Sequence, residues 1–306
     1  MDNRQDTNIA VELALLVALA TLWGGSYTFI KLGVATIPPV TLIAARTTIA
    51  GLLLLAIMWA RGIRMPTDAA TWQRFAFQAV LNSVIPWTLI ASGERHVDAS
   101  LATILNSAGP IFTFLLTAIV TRHEATTARK LFGVVAGMAG ILLIVGVDAF
   151  RGICIGSGLV AEAAIVAATV CYACAAIFGR SFKGLDPMAP AAGSLLAGAA
   201  VLMPASLVLE QPWTLSPSLS SVLALLALAV FSTATAFAIY FRLIKTLGSV
   251  GTTAQAYLRV PIGVAISVAF LGETLSQTAW IGLACVVLGV AAMTIPARRP
   301  AVAKPS

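Results

Sequence analysis

Charged side chains are scarce here: 12 acidic and 19 basic residues among 306, or 10%, where soluble domains carry about 25%. Histidine occurs only at His96 and His123, and cysteine only at Cys154, Cys171, Cys174 and Cys285. No HExxH and no paired acids fall within an apolar run, so the acid–base or metal constellation of a membrane-embedded enzyme is missing. A phosphate-cradling glycine loop is also absent, so the chain has no ATPase of its own. Cys171 and Cys174 form a C-x-x-C, but on an apolar helix they read as small packing residues. Neither a metal site nor a cofactor is expected.

Apolar sequence fills the space that charge leaves. Hydrophobic residues make up 59% of the chain and mean hydropathy is +0.96. A spanning helix needs about 20 apolar residues, and ten such runs can be read. They lie near 10–30, 38–60, 75–93, 97–120, 129–147, 158–178, 187–209, 218–241, 249–271 and 277–296. The runs are continuous rather than alternating, which disfavours a β-barrel. The fold class expected is an all-α polytopic membrane protein with ten transmembrane helices. Arg4 followed by an apolar run resembles a signal peptide, but the helix continues past Ala18-Leu19-Ala20 and nine more follow.

Basic residues set the orientation. With ten spans and the N-terminus inside, fourteen Lys and Arg fall in inner segments and three (Lys31, Arg95 and Arg151) in outer loops. That bias follows the positive-inside rule and predicts a multi-pass protein of the cytoplasmic (inner) membrane with both termini cytoplasmic. The net charge of +7 then reflects topology and the anionic inner leaflet, not nucleic-acid binding.

The two halves repeat. Glu124, Gly133 and Gly140 map onto Glu273, Gly282 and Gly289 at an offset of 149, and Asn106 maps onto Gln255 at the same offset. An offset of 150 carries Glu12 onto Glu162. Five spans per half is an odd number, so the second half must be inverted. This divides the chain into a first five-helix repeat at 1–149, a second, inverted one at 150–297, and a cytoplasmic tail at 298–306. Inverted repeats place a substrate site near the midplane between two bundles that rock to exchange access.

Polar residues inside spans are expensive and tend to face a bundle interior or a wet cavity. Arg259 and Gln255, one turn apart, form a donor-rich stripe, and Arg46 lies about a third of the way into the second span. A substrate carboxylate would be a counter-ion for them; structural bonds to helix carbonyls are the alternative. Asn82 and Asn106 offer amides at similar depth, or bond neighbouring helices. Trp23, Tyr27, Trp87, Tyr172 and Tyr257 lie deep enough to line a pocket for an apolar or aromatic substrate, or to pack. Glu12 and Glu162 are candidates for proton coupling, though both lie close to span starts, where solvated acids are ordinary. Pro110 and Pro261 are candidate hinges. They are unequally placed, 14 residues before Glu124 and 12 before Glu273, so the second copy is expected to kink elsewhere.

The segments LWGGSYTFIKLG (22–33), PPVTLIAAR with Arg46, SLATILNSAGPIFTFLL (100–116) and FLGETLSQTAWIG (270–282) resemble EamA-type members of the drug/metabolite transporter superfamily. The resemblance covers both halves. It implies a ten-helix bundle with cytoplasmic termini that carries small metabolites out of the cell. The aromatic amino-acid exporter subgroup is the nearest likeness within it. The function expected is secondary export by alternating access of small metabolites, amino acids including aromatic or neutral ones. The partners are then a small-molecule substrate and the bilayer, and the sequence leaves a monomer and an oligomer both open, since glycine-rich faces such as Gly133/Gly137/Gly140 pack as readily within a subunit as between subunits. Export of other metabolites or cationic drugs is the alternative; a channel or an enzyme is more distant.

Overall fold

A computed structural model describes residues 9–121, 128–150, 157–253 and 255–294. Helices account for nearly all of them, and no strand occurs among the described residues. The first span is broken into α1 (Ile9–Gly24) and α2 (Ser26–Val34), and the second is α3 (Pro39–Ala60). The third joins α4 (Ala69–Ala79) to α5 (Ile85–Gly93) through a π-helical segment, Val80–Val84. The fourth is α6 (Ala99–Asn106) and α7 (Gly109–Thr121), and the fifth is α8 (Ala128–Phe150). The second half runs through α9 (Ser157–Phe178) and α10 (Met188–Leu209). Its third span joins α11 (Leu219–Ala229) to α12 (Ala236–Thr253), again through a π segment, Val230–Thr235; α13 (Gln255–Leu271) and α14 (Gln277–Thr294) follow.

Seven of these spans are long and apolar enough to cross a bilayer, and three shorter apolar stretches, Leu131–Leu143, Leu258–Leu271 and Gln277–Gly289, complete the ten. Local chemistry sets several boundaries. Pro39 opens α3, where its missing N–H costs nothing, and Gly62 with φ +69° follows its end. Asp68 caps α4 by accepting from Thr71 N at 2.8 Å, and the bonds from Thr71 hold its carboxyl below the usual range. That cap starts the third span at Ala69, six residues before the sequence-predicted 75. The prolines of the seventh span do not interrupt it: Pro190 sits in the first turn of α10, and Pro204 is accommodated inside the helix. Lys31, expected in a loop, lies within α2.

The packing is that of two inverted repeats. The second span packs on the seventh (α3 on α10) and the fifth on the tenth (α8 on α14), so each of these helices meets its own counterpart. Other contacts come in twos: α5 against α9 is mirrored by α1 against α12, and α6 and α7 against α9 by α13 against α1. Small residues allow these approaches. A Cβ on Gly24 would lie 2.7 Å from the Arg259 carbonyl oxygen, and one on Gly140 would lie 2.8 Å from that of Gly282. The outward faces are apolar, with Trp59, Trp213 and Trp280 largely exposed near span ends, as interfacial anchors are. Glu124, Arg151 and the tail 298–306 lie outside the described residues.

Candidate functional site

A cavity of about 390 Å³ lies between the halves. The first contributes Trp23, Ser26, Tyr27, Ile30, Arg46, Asn82, Trp87, Ile90, Asn106 and Gly109; the second contributes Tyr172, Ser232, Phe237, Tyr240, Gln255 and Arg259. Of nine sequence-predicted binding residues, eight meet here: Trp23, Tyr27, Asn82, Trp87, Asn106, Tyr172, Gln255 and Arg259. The side chain of Tyr257 lies outside the described residues.

Backbone irregularities put polar groups on this wall. Asn82 and Ser232 sit in the two π segments, 150 residues apart. A π turn widens the helix and recurs at functional sites. In the second such segment the Thr233 hydroxyl donates to Leu228 O at 2.8 Å. It also accepts from Arg46 Nε at 3.0 Å. Arg46 is 5% exposed, and its guanidinium carbon lies 3.6 Å from the centroid of the Trp87 ring. The fourth span breaks at Ser107–Ala108, leaving Asn106 at the end of α6 and Gly109 at the start of α7.

Several cavity atoms have no partner among the described residues: Asn106 Nδ2, Gln255 Oε1, Arg259 Nε and Ser232 Oγ. A buried polar atom left unbonded costs about 1–3 kcal/mol, so these four call for polar partners inside the cavity, supplied by water or by a ligand. Donors (Arg259 Nε, Asn106 Nδ2) and an acceptor (Gln255 Oε1) occur together. Beside them stand rings: Trp23 lies 5.4 Å from Tyr240 and 6.1 Å from Phe237, centroid to centroid. Among the described residues, two guanidiniums and no carboxylate line the cavity. The volume falls in the range of small-ligand pockets, about 300–1,000 Å³.

Both ends of the bundle are tied between halves. Toward one end, beyond Ile90, the Glu273 carboxylate accepts from Ala99 N and Ser100 N, both at 2.8 Å, capping α6. There Glu210 accepts from Val40 N at 3.1 Å, Thr41 N at 2.6 Å and Thr41 Oγ1 at 2.7 Å, capping α3. Lys31 Nζ donates to the carbonyls of Glu94 and Val97, both at 2.7 Å. Glu94 itself is fully buried, and neither carboxylate oxygen has a hydrogen-bond partner among the described residues. Burial holds its carboxyl well above the usual range, against the pull of Lys31 and Arg46 and with Glu273 adding to the rise. At the opposite end Glu12 pairs with Arg242 at 2.8 Å and accepts from Thr246 Oγ1 at 2.8 Å.

Neither Glu12 nor Glu162 lines the cavity. Glu12 has an ion-pair partner, which ordinary buried acids at helix starts take. Pro261 lies inside α13, exposed, and the helix runs through it. Pro110 directly follows the α6–α7 break; its side chain lies outside the described residues. Sequence reasoning gave Arg46 no more than an open reading and missed Ser232, Phe237 and Tyr240. For Ser232 the signal was available, since it is the repeat mate of Asn82.

The EamA-like transporter family model matches residues 10–146 and again 159–295. The chain belongs to the EamA-like transporter family. It is 28% identical over 282 residues to the uncharacterized inner membrane transporter YedA of Escherichia coli K12, covering 92% of this chain and 89% of YedA. A probable terminal-alkyne amino-acid exporter of Streptantibioticus cattleyicolor is 24% identical over 275 residues, covering 90% of each. A solved crystal structure matches with a TM-score of 0.65 at 20% identity, over 95% of this chain and 99% of that one, and shows the shared fold. This EamA-family chain is therefore a multi-pass membrane transporter, and both of its matched copies contribute residues to the cavity.

Proposed function

We propose that this protein exports small carboxylate-bearing metabolites, amino acids with aromatic or neutral side chains foremost, by alternating access around the central cavity. The observation that carries the reading is the cavity's composition among the described residues: Arg46 and Arg259, four polar atoms without a partner, a wall of aromatic rings, and no acid. A carboxylate would satisfy Arg259 Nε and Asn106 Nδ2, and an α-ammonium would satisfy Gln255 Oε1. Trp23, Phe237 and Tyr240 would receive an apolar or aromatic side chain. The amino-acid exporter among the relatives supports the class. The basic-residue bias supports an inner-membrane location with both termini cytoplasmic. The repeats divide the chain near residue 150, and Pro110, beside the α6–α7 break, is the better placed of the two candidate hinges.

Counterflow tests this. Proteoliposomes loaded with unlabelled amino acids and offered labelled aromatic or small neutral ones should accumulate label above equilibrium, and the gain should vanish when the internal load is omitted. Absence of exchange by folded, inserted protein would remove amino acids as the cargo.

A further inference from the structure

Arg46 is held on two sides before any ligand arrives. Its guanidinium covers the Trp87 ring at 3.6 Å, and its Nε is anchored on Thr233 Oγ1, which is itself tied to the carbonyl left accessible by the π segment. Among the described residues its terminal nitrogens make no hydrogen bond. Glu94, one turn beyond Ile90, is the buried acid that acts on Arg46 through space, and it forms no bond to it.

An aromatic face over a buried pocket is where a substrate cation would bind. In this cavity that face already carries a cation of the protein's own. A second cation entering would lose the Trp87 face and meet two like charges in a low-dielectric site. An anion would find terminal guanidinium nitrogens pre-oriented by the stacking and by the Thr233 bond, so little ordering remains when it binds. We infer that Arg46, docked on Trp87, is the charge filter of the cavity: it occupies the pocket's cation seat and admits ligands through their carboxylate. The inference rests on the cavity being the substrate site, and it names the charge class that site accepts and the residue that sets it.

Three ligands of one ring size separate the charges: phenylalanine, 3-phenylpropionate and phenethylamine. Binding to purified protein is read by thermal shift or tryptophan quenching, independently of transport. The native protein should bind 3-phenylpropionate and not phenethylamine. Arg46→Gln should weaken the acid by at least about tenfold, the loss of a charged hydrogen bond, and should let phenethylamine bind on the vacated Trp87 face. Arg46→Lys should keep the preference for the acid. Thr233→Val keeps the charge but removes its anchor, and should weaken the acid several-fold without admitting the amine. If Arg46→Gln does not fold, the Lys and Val variants still decide, because loss of acid preference in either contradicts the filter.

Equal binding of acid and amine by the native protein overturns the inference. So does failure to bind the acid, or an unchanged acid-to-amine ratio in Arg46→Gln. Acid binding without any amino-acid counterflow would sink the amino-acid reading and leave the filter standing.

Discussion

At the scale of single residues, the buried acid Glu94 makes a pH prediction. Its carboxyl is raised by burial, whereas in the unfolded chain it would titrate near about 4.3. The folded state therefore holds a proton that the unfolded state has lost. Stability should be greatest below the unfolded value and fall as pH rises, by at most about 1.4 kcal/mol per pH unit, until the folded carboxyl also ionises. Glu94→Gln should flatten that slope in a melting series, and an unchanged slope would place the titrating group elsewhere. Arg259 gives the second prediction at this scale. Its Nε has no partner among the described residues, so Arg259→Ala should raise KM for carboxylate substrates by roughly 10- to 100-fold, the value of a charged hydrogen bond. Insertion and melting should be little changed. The paired amides are expected to act on one ligand, so Asn106→Ala with Gln255→Ala should cost more than either alone.

Helix ends and helix seams carry the predictions at the level of elements. Glu273 caps α6 from across the repeat boundary. Glu273→Ala should then cost about 1–2 kcal/mol, the usual loss on removing an N-cap, measured as a lowered midpoint in chemical denaturation. At the Gly24 seam an added methyl meets backbone 2.7 Å away. Gly24→Ala should therefore destabilise by about 1–3 kcal/mol, as overpacking does, whereas Gly158→Ala, with open space around it, should be silent. These seams also explain what the sequence could reveal about the elements. Spans were readable because apolar length is a property of consecutive residues. The glycine pairs at offset 149 were readable because backbone approach demands a residue without a side chain. The two π segments were not, since VLNSV and VFSTAT carry no propensity that separates them from an α-helix. Only the tertiary contact of Thr233 with Arg46 gives one of them a visible purpose.

For the molecule as a whole, the cavity joins residues far apart in the chain, from Trp23 to Arg259. Depth and polarity were enough to nominate eight of its members. They were not enough for Tyr240 and Phe237, which lie past the second π segment on a helix whose facing is set by tertiary packing. The cross-half ties make a functional prediction. Thr41 and Ser206 hydroxyls meet at 2.8 Å between α3 and α10. If rocking of the halves drives transport, a Thr41→Cys, Ser206→Cys pair should stop exchange when oxidised and restore it with reductant. Full exchange through the oxidised pair would mean that this contact persists through the cycle.

The two π segments have one more consequence, in the arithmetic of insertion and deletion. Each holds about one residue more than the surrounding α-helix requires, like a silent insertion, and both repeats carry it at the same place. Removing one residue from Val80–Val84 would leave a longer, more regular helix of nearly unchanged hydropathy. Because the wide turn absorbs the extra residue, Trp87 and Ile90 beyond it would keep their facing, but the bulge that carries Asn82 to the cavity wall would close. Span 3 would still insert, with one polar group of the site displaced. In this chain the width of a single helical turn is thus a determinant of the site alongside the identity of the residues in it.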